Sequence, residues 1–247
     1  METSLSLSVV IPAWNNSHFL PEAIVSALSC ADEVIVVDDA SSDGTVELGY
    51  APFREDSRVG FLKLGSNRGP SGARVAGLEK SSGELIGFLD ADDRYAPNAL
   101  ERLRSRLQEN PSADIALGRK TGLYLQDERT YAVQGDVVRM YSFGSALIRR
   151  ELLTRVNIDT QIRHGEDIDW FMRIQEDQAQ FELVDEVTQH YRRHAHNLTA
   201  IEEGDAKSAD LADVMMRSML RRRKLAKQRG VSVKDIYYVQ PDNFSDS

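Results

Sequence analysis

Cysteine is almost missing from this 247-residue chain, Cys30 being the only one. A single thiol excludes an intrachain disulfide framework and a Cys-based metal site, and it fits a reducing compartment. Long apolar runs are missing too. Leu5 to Ile11 is too short to span a bilayer, and no basic segment precedes it as in a secretory signal. Asn15 and Asn197 each begin an N-x-Ser/Thr triplet, but without a signal neither reads as glycosylated, and the expectation is a soluble, cytoplasmic protein. Basic charge is scarce relative to acidic: 30 Lys and Arg against 39 Asp and Glu, a formal net charge of -9. That balance argues against general nucleic-acid binding, since a phosphate backbone demands a basic surface.

What is present suits one α/β domain with an extension, and the length allows a substantial core. Leu7 to Ile11 (LSVVI) is an apolar, β-branched run expected to end as a buried strand at Pro12. Ser17 to Leu28 reads as a helix with Leu20, Ile24 and Leu28 on one face, provided Pro21 sits in its first turn. Glu33 to Val37 predicts a second strand ending at Asp38 and Asp39. Turn chemistry over ASSDGT then leads to a weak helix near Val46 to Phe53. Arg58 to Leu64 is a third strand, Gly69 to Lys80 a Gly-opened helix, and Leu85 to Leu89 a fourth strand. Pro97 opens a helix with Leu100, Leu103 and Leu107 inward, closed by Asn110-Pro111. Such alternation implies right-handed βαβ units, a mostly parallel central sheet and helices on both faces.

The second half predicts a small mixed sheet. Ile115 to Leu117, Leu123 to Leu125 and Tyr131 to Val133 are short strands. Ser145 to Ile148 leads into a short helix at Arg150 to Leu153, and Glu166 to Gln178 is a helix with Ile168, Phe171, Met172 and Gln175 as its stripe. Glu182 to Val187 and Gln189 to Arg193 are further strands. Long polar helix formers follow from about Asp205 to Gln228. We therefore divide the chain into a catalytic domain over 1–200 and a C-terminal helical extension with a tail over 201–247.

Acids crowd at the strand ends. Asp90, Asp92 and Asp93 fall within four residues of GELIGFLDADD, and such crowding is costly unless a cation or solvent offsets it. In an open parallel sheet, Pro12 to Asn16, Asp38-Asp39 and Asp90 to Asp93 come to the same carboxyl edge, where nucleotides bind. Oxygen ligands there suit Mg²⁺ or Mn²⁺ accompanied by a diphosphate. Asp39 can accept the N3–H of uracil, which cytosine lacks, favouring a uridine nucleotide. Asp38 serves equally well as a cap for the turn at Ser41 to Thr45. In NRGPSGAR from Asn67, backbone N–H groups and Arg68 or Arg74 can face phosphate, although the composition is also that of a plain loop.

Six ordered motifs, SVVIPAWNN from Ser8, VIVVDDASSDGT from Val34, NRGPSGARVAG from Asn67, GELIGFLDADD from Gly83, HGEDIDWFMR from His164 and YRRHAHN from Tyr191, resemble the family 2 glycosyltransferases of GT-A fold. The resemblance spans roughly Ser6 to Thr199. It implies inverting transfer from a nucleoside-diphosphate sugar to a hydroxyl of a saccharide or lipid-linked acceptor in cell-surface or exopolysaccharide synthesis. By it, Pro12, Ala13 and Asn15 line the nucleotide, Asp39 meets uracil, and Arg74 lies beside the base or phosphates. Asp90 lies nearer the ribose and Asp92 is the direct ligand of a divalent metal, Mg²⁺ or Mn²⁺. Asp167 matches the general base with Glu166 beside it, and His194, or His196 two residues on, completes the metal or diphosphate site. Trp14 stands where the family usually has Tyr, and Val75 where Asn is common.

Inverting transfer needs a base that takes the acceptor's proton while its oxygen attacks opposite the leaving diphosphate. A carboxylate in a helix's first turn is held ionised by the exposed N–H groups. That weakens it as a base, so burial or Glu166 is expected to bring the Asp167 pKa back up. Two other classes share some of these features. A haloacid-dehalogenase-type phosphatase also uses D-x-D, but on its first strand and with a different residue following, where this chain has Arg94 on its fourth. A non-catalytic nucleotide-sugar-binding relative would not need Asp167 or Asp92. Finally, Arg217 to Arg229 holds seven basic residues. With Met215, Met216, Met219, Leu220 and Leu225 it forms either a helix docked on the catalytic domain or a peripheral contact with acidic lipids at the inner face of the membrane.

Overall fold

The computed structural model describes residues 4–125, 131–194 and 205–232. The boundary expected near residue 200, His196 and Asn197 lie outside them. Among the described residues the strands form one nine-stranded sheet in the order β3-β2-β1-β4-β8-β6-β9-β5, with β7 beside β6. The N-terminal strands β1 (Leu7–Ala13), β2 (Glu33–Asp38), β3 (Val59–Lys63) and β4 (Leu85–Phe88) run parallel. Helices α1 (Leu20–Leu28) and α2 (Gly69–Lys80) complete the βαβ units. β1 is buried along its whole length, as expected of a strand covered on both faces.

The two faces carry different cores. Val9, Ile11, Val34 and Val36 pack with Leu20 and Ile24 of α1 and with Leu100, Leu103 and Leu107 of α3 (Ala99–Glu109). Val10, Ile35, Val37, Ile86 and Phe88 pack on the other side with Trp170, Phe171 and Ile174 of α5 (Glu166–Glu176). The period-2 alternation of each strand makes this division. Pro12 does not end β1, which continues to Ala13. The ladder with β4 stops at Val10, so the missing N–H of Pro12 removes no bond on that side.

Beyond β4 the sheet is mixed. β8 (Ala146–Arg149), followed by the short helix α4 (Arg150–Arg155), is antiparallel to β4 and β6, while β9 (Phe181–Arg193) is parallel to β6 and antiparallel to the two-residue β5 (Arg94–Tyr95). The pieces expected at 115–117 and 123–125 are one strand, β6 (Ile115–Leu125), paired with β7 (Tyr131–Val138). Likewise 182–187 and 189–193 are the single β9. Polar residues interrupt both patterns where the β6–β9 register shifts, between Leu117, Arg119 and Lys120, and bulges tolerate them. The weak helix over Val46 to Phe53 is a wide helical turn over Thr45–Tyr50 followed by a tighter one over Ala51–Phe53.

The C-terminal helix α6 (Asp205–Arg229) lies on α5. Its docked residues are Val214, Ser218 and Ala226, whereas Met215, Met216, Met219 and Leu220 are exposed. Of the residues offered for an apolar face, Leu225 is partly buried while the three methionines and Leu220 stay outside. Polar groups add to the contact: Arg221 pairs with Asp169 at 3.2 Å and Glu176 at 2.8 Å, and Ser218 donates to Glu176. This second cover buries Asp169 and Glu176 beyond the predicted stripe of α5, whereas Trp170 is buried on the sheet side against Phe143 and Val156.

Candidate active site

The carboxyl edge of the parallel strands is knitted by side chains that the sequence offered as nucleotide ligands. Pro12 and Ala13 are buried in β1 beside Val37 and Asp38, and Trp14 after them is exposed. Asn15 has a left-handed backbone, φ 53°; its Oδ1 accepts from Ser42 N at 2.9 Å and its own N–H donates to Ser41 Oγ. Asp38 accepts from Ser41 N at 2.9 Å, the turn-capping role open to it. Asp39 accepts from the backbone N–H groups of Arg68 at 2.7 Å and Gly69 at 2.8 Å, joining β2 to the start of α2. Burial raises its pKa, and those two donors oppose the rise.

The three crowded acids separate into three environments. Asp90 keeps its side chain 45% exposed and accepts from Arg74 Nη2 at 2.6 Å. Asp92 faces His194, with Oδ2 3.1 Å from Nε2, and His194 stacks on Phe19 at a centroid distance of 4.8 Å. Asp93 is fully buried and accepts from Gln189 Nε2 at 2.6 Å and Arg192 N at 2.8 Å. Burial, with the charges of Asp92 and Asp90, pushes its carboxyl well above the usual range. Asp93 thus pins β9, and with it His194, against the acid-bearing strand end. The flanking Arg192 adds a bond from Nε to the Asp92 carbonyl at 2.7 Å, a pair with Glu22, and a position 4.3 Å above the Tyr131 ring.

Arg74 links this edge to α5. Nearly buried, it sits 5.1 Å over the Phe143 ring and reaches Asp90 with one terminal nitrogen and Glu166 with the other, at 2.7 Å. Both terminal nitrogens are therefore committed to carboxylates that lie 76 positions apart in sequence. The flanking charges of Asp90 and Glu166 raise the Arg74 pKa against the opposing effect of its burial.

Gly165, at φ 76°, turns the chain into α5 and brings Glu166 and Asp167 to its first turn. Asp167 accepts from Ile168 N at 2.8 Å. Burial, then the Glu166 charge, pushes its carboxyl up to about 7, against the pull of Arg74, Ile168 N–H and Lys120. The effect anticipated from the helix N-terminus is thereby outweighed, because loss of solvation acts on the whole charge while the helix end supplies only partial charges.

Asp92 and His194 offer one carboxylate and one imidazole, and among the described residues no three His, Cys, Asp or Glu side chains gather to cage a metal. One or two protein ligands completed by substrate phosphates and water are common for Mg²⁺, and carboxylate, phosphate and water oxygens suit Mn²⁺ as well. The residues therefore fit a cation that arrives with a diphosphate.

No site role for Gln189, Phe143 or Lys120 was legible in the sequence, nor was the burial of Asp93. Each acts through a partner far away in sequence. The one signal for Asp93 was the crowding itself, since three adjacent carboxylates rarely share one environment.

Known proteins resemble the chain over this framework. The model of the family described as Glycosyl transferase family 2 matches residues 8–157. An uncharacterized glycosyltransferase, EpsJ, of Bacillus subtilis is 28% identical over 222 residues, 79% of this chain and 63% of its own. A GalNAc(5)-diNAcBac-PP-undecaprenol beta-1,3-glucosyltransferase of Campylobacter jejuni is 37% identical over 108 residues, 42% of this chain and 35% of its own. The chain thus spans less than two thirds of the length of either. The crystal structure of S. aureus TarS 1-349 in complex with UDP-GlcNAc matches with TM-score 0.72 and 19% identity, covering 88% of this chain and 66% of that one, and shows a shared GT-A fold. Asp167 and His194 lie beyond the family match. That match nonetheless runs from the first buried strand through the Asp90–Asp93 strand end to just past α4, and the chain belongs to glycosyl transferase family 2.

Proposed function

We propose that the chain transfers a sugar, with inversion, from a nucleoside-diphosphate sugar, a UDP-sugar, to a hydroxyl of a saccharide or lipid-linked acceptor in cell-surface or exopolysaccharide synthesis. The observation that carries this is Arg74, which ties Asp90 at the nucleotide edge to Glu166 beside a carboxyl poised near neutrality. A base whose pKa lies near the operating pH combines the correct ionisation with useful driving force. In this reading Asp167 removes the acceptor proton, Glu166 and Arg74 set its charge, and Asp90 orients the ribose. Pro12, Ala13 and Asn15 shape the nucleotide edge, and Asp39 meets uracil through its remaining lone pairs. Asp92 and His194 hold the divalent cation, which when bound supplies Lewis-acid stabilisation of the departing diphosphate. UDP-GlcNAc in the TarS structure supports a UDP-sugar, and the undecaprenol-linked acceptor in the Campylobacter enzyme's name supports a lipid-linked acceptor.

Among the described residues no helix is long and apolar enough to cross a membrane. The exposed Met215, Met216, Met219 and Leu220, continued by exposed Arg223, Lys224 and Lys227, fit peripheral contact with anionic lipids on the cytoplasmic face. Calorimetry with UDP tests the core of the reading. UDP is expected to bind with Mn²⁺, and Asp92→Asn to weaken that binding tenfold or more. Asp167→Asn keeps UDP binding while cutting transfer by roughly 10²–10⁴. Metal-independent UDP affinity in both proteins would remove the cation from the site, and unchanged transfer in Asp167→Asn would remove the base.

A further inference from the structure

β9 sends alternate side chains to different parts of the molecule. His190, Arg192 and His194 turn to one face, where they meet Arg94, Glu22 and Asp92 respectively. Tyr191 and Arg193 turn to the other. There the parallel register sets Gly122 beside Tyr191 and Tyr124 beside Arg193, with Lys120 two residues back along β6. The result is a ladder of alternating cations and rings. Lys120 Nζ lies 5.2 Å from the Tyr191 centroid, and Arg193 Cζ lies 5.9 Å from Tyr191 and 5.7 Å from Tyr124.

The backbone beneath it is built for flat rings. A Cβ on Gly122 would come 2.3 Å from the Tyr124 ring, so that ring lies over the glycine. Gly135 of β7, at φ 97°, also leaves room for it, its own Cβ position being 3.3 Å from the ring. Lys120, Tyr124 and Tyr191 are partly exposed and Arg193 is exposed. Among the described residues neither Lys120 nor Arg193 forms an ion pair, in a chain of net charge -9. Rings flanked by cations that form no ion pair are the chemistry that holds a sugar ring and an anion side by side. The ladder also borders the chemistry: the Lys120 charge acts on Asp167, while His194 on the opposite face of β9 meets Asp92.

We infer that Lys120, Tyr124, Tyr191 and Arg193 form the acceptor subsite, and that the acceptor is a saccharide bearing a phosphate or carboxylate group. This rests on the reading of Asp167 as base. Sugar rings lie on the tyrosines and the anion sits by Lys120 and Arg193. The anion is either the diphosphate of a lipid-linked sugar or the carboxylate of a uronic acid.

The test is titration calorimetry of the full chain, with UDP and Mn²⁺ present, against three probes: a short-chain prenyl-diphosphate N-acetylglucosamine, a glucuronate disaccharide and neutral cellobiose. One anionic probe is expected to bind at least tenfold more tightly than cellobiose, and which one it is identifies the source of the anion. Arg193→Gln should weaken that probe tenfold or more, Tyr191→Leu should weaken all saccharide probes, and the UDP affinity should stay within twofold. Equal affinity for neutral and anionic probes, no anionic binding by the wild-type chain, or anionic binding unchanged in the Lys120→Gln/Arg193→Gln double variant would each overturn the subsite. Failure of UDP to bind the wild-type chain would instead overturn the donor-site reading, and the subsite would stand or fall on its probes.

Discussion

Replacing Asp167 by Asn should stabilise the fold, and only at the pH values where a buried charge is being tolerated. The Asp167 carboxyl is raised from 3.8 to about 7 by burial and by Glu166. A raised pKa means that the folded state disfavours the ionised form. The stability associated with this group is complete below about pH 4, falls as the pH rises towards 7, and stays low above it. A shift of this size corresponds to about 4 kcal/mol at about 1.4 kcal/mol per pH unit. Because the side chain keeps some access to solvent, we halve that figure and expect a plateau of about 2 kcal/mol. Asn is neutral throughout and its Oδ1 can still accept the Ile168 N–H. Urea unfolding of both proteins at pH 5, 6, 7 and 8 should therefore show an advantage for Asp167→Asn that grows to about 2 kcal/mol by pH 8, alongside the loss of transfer. An advantage independent of pH, or a less stable variant at pH 8, would refute the claim that Asp167 is a buried acid poised near neutrality.

Three further outcomes follow from the same geometry. Glu166→Gln removes the neighbouring charge that raises the Asp167 pKa, so the acid limb of the pH–rate profile should move to lower pH; an unmoved limb would dissociate Glu166 from the base. Arg74→Met leaves Glu166 and Asp90 without their partner and should cost about 3 kcal/mol in urea unfolding, the low end for a broken buried pair because Asp90 is half exposed; a loss under about 1 kcal/mol would show that the link contributes little. In sedimentation with phosphatidylglycerol vesicles, Met216→Ser/Leu220→Ser should pellet several-fold less protein than the wild-type chain, and equal pelleting would exclude the outer face of α6 as a lipid contact.

The sequence by itself determined the elements whose signals are local. β1, β2 and β4 were legible because both of their faces are buried, which makes them short continuous apolar runs, and α3 because Leu100, Leu103 and Leu107 repeat at the helical period. The acids at the strand ends were legible for the same reason: where an apolar run stops at a carboxylate, the chain has reached the sheet edge. Asp167 could be placed in a helix's first turn because Gly165 precedes it.

Tertiary structure decided everything that depends on a distant partner. β6 and β9 are long strands whose polar interruptions make sense only against each other, where a register shift absorbs them. Asp90, Asp92 and Asp93 look alike in sequence; Arg74, His194 and Gln189 give them three different environments. The methionines of α6 read as a docking face or a lipid contact; in the fold Arg221 and Ser218 satisfy Asp169 and Glu176 and the methionines stay outside. Local pattern records which residues avoid water or bend the chain, whereas charge pairing and burial of polar groups depend on which elements meet. In this protein that meeting sets the state of the proposed base.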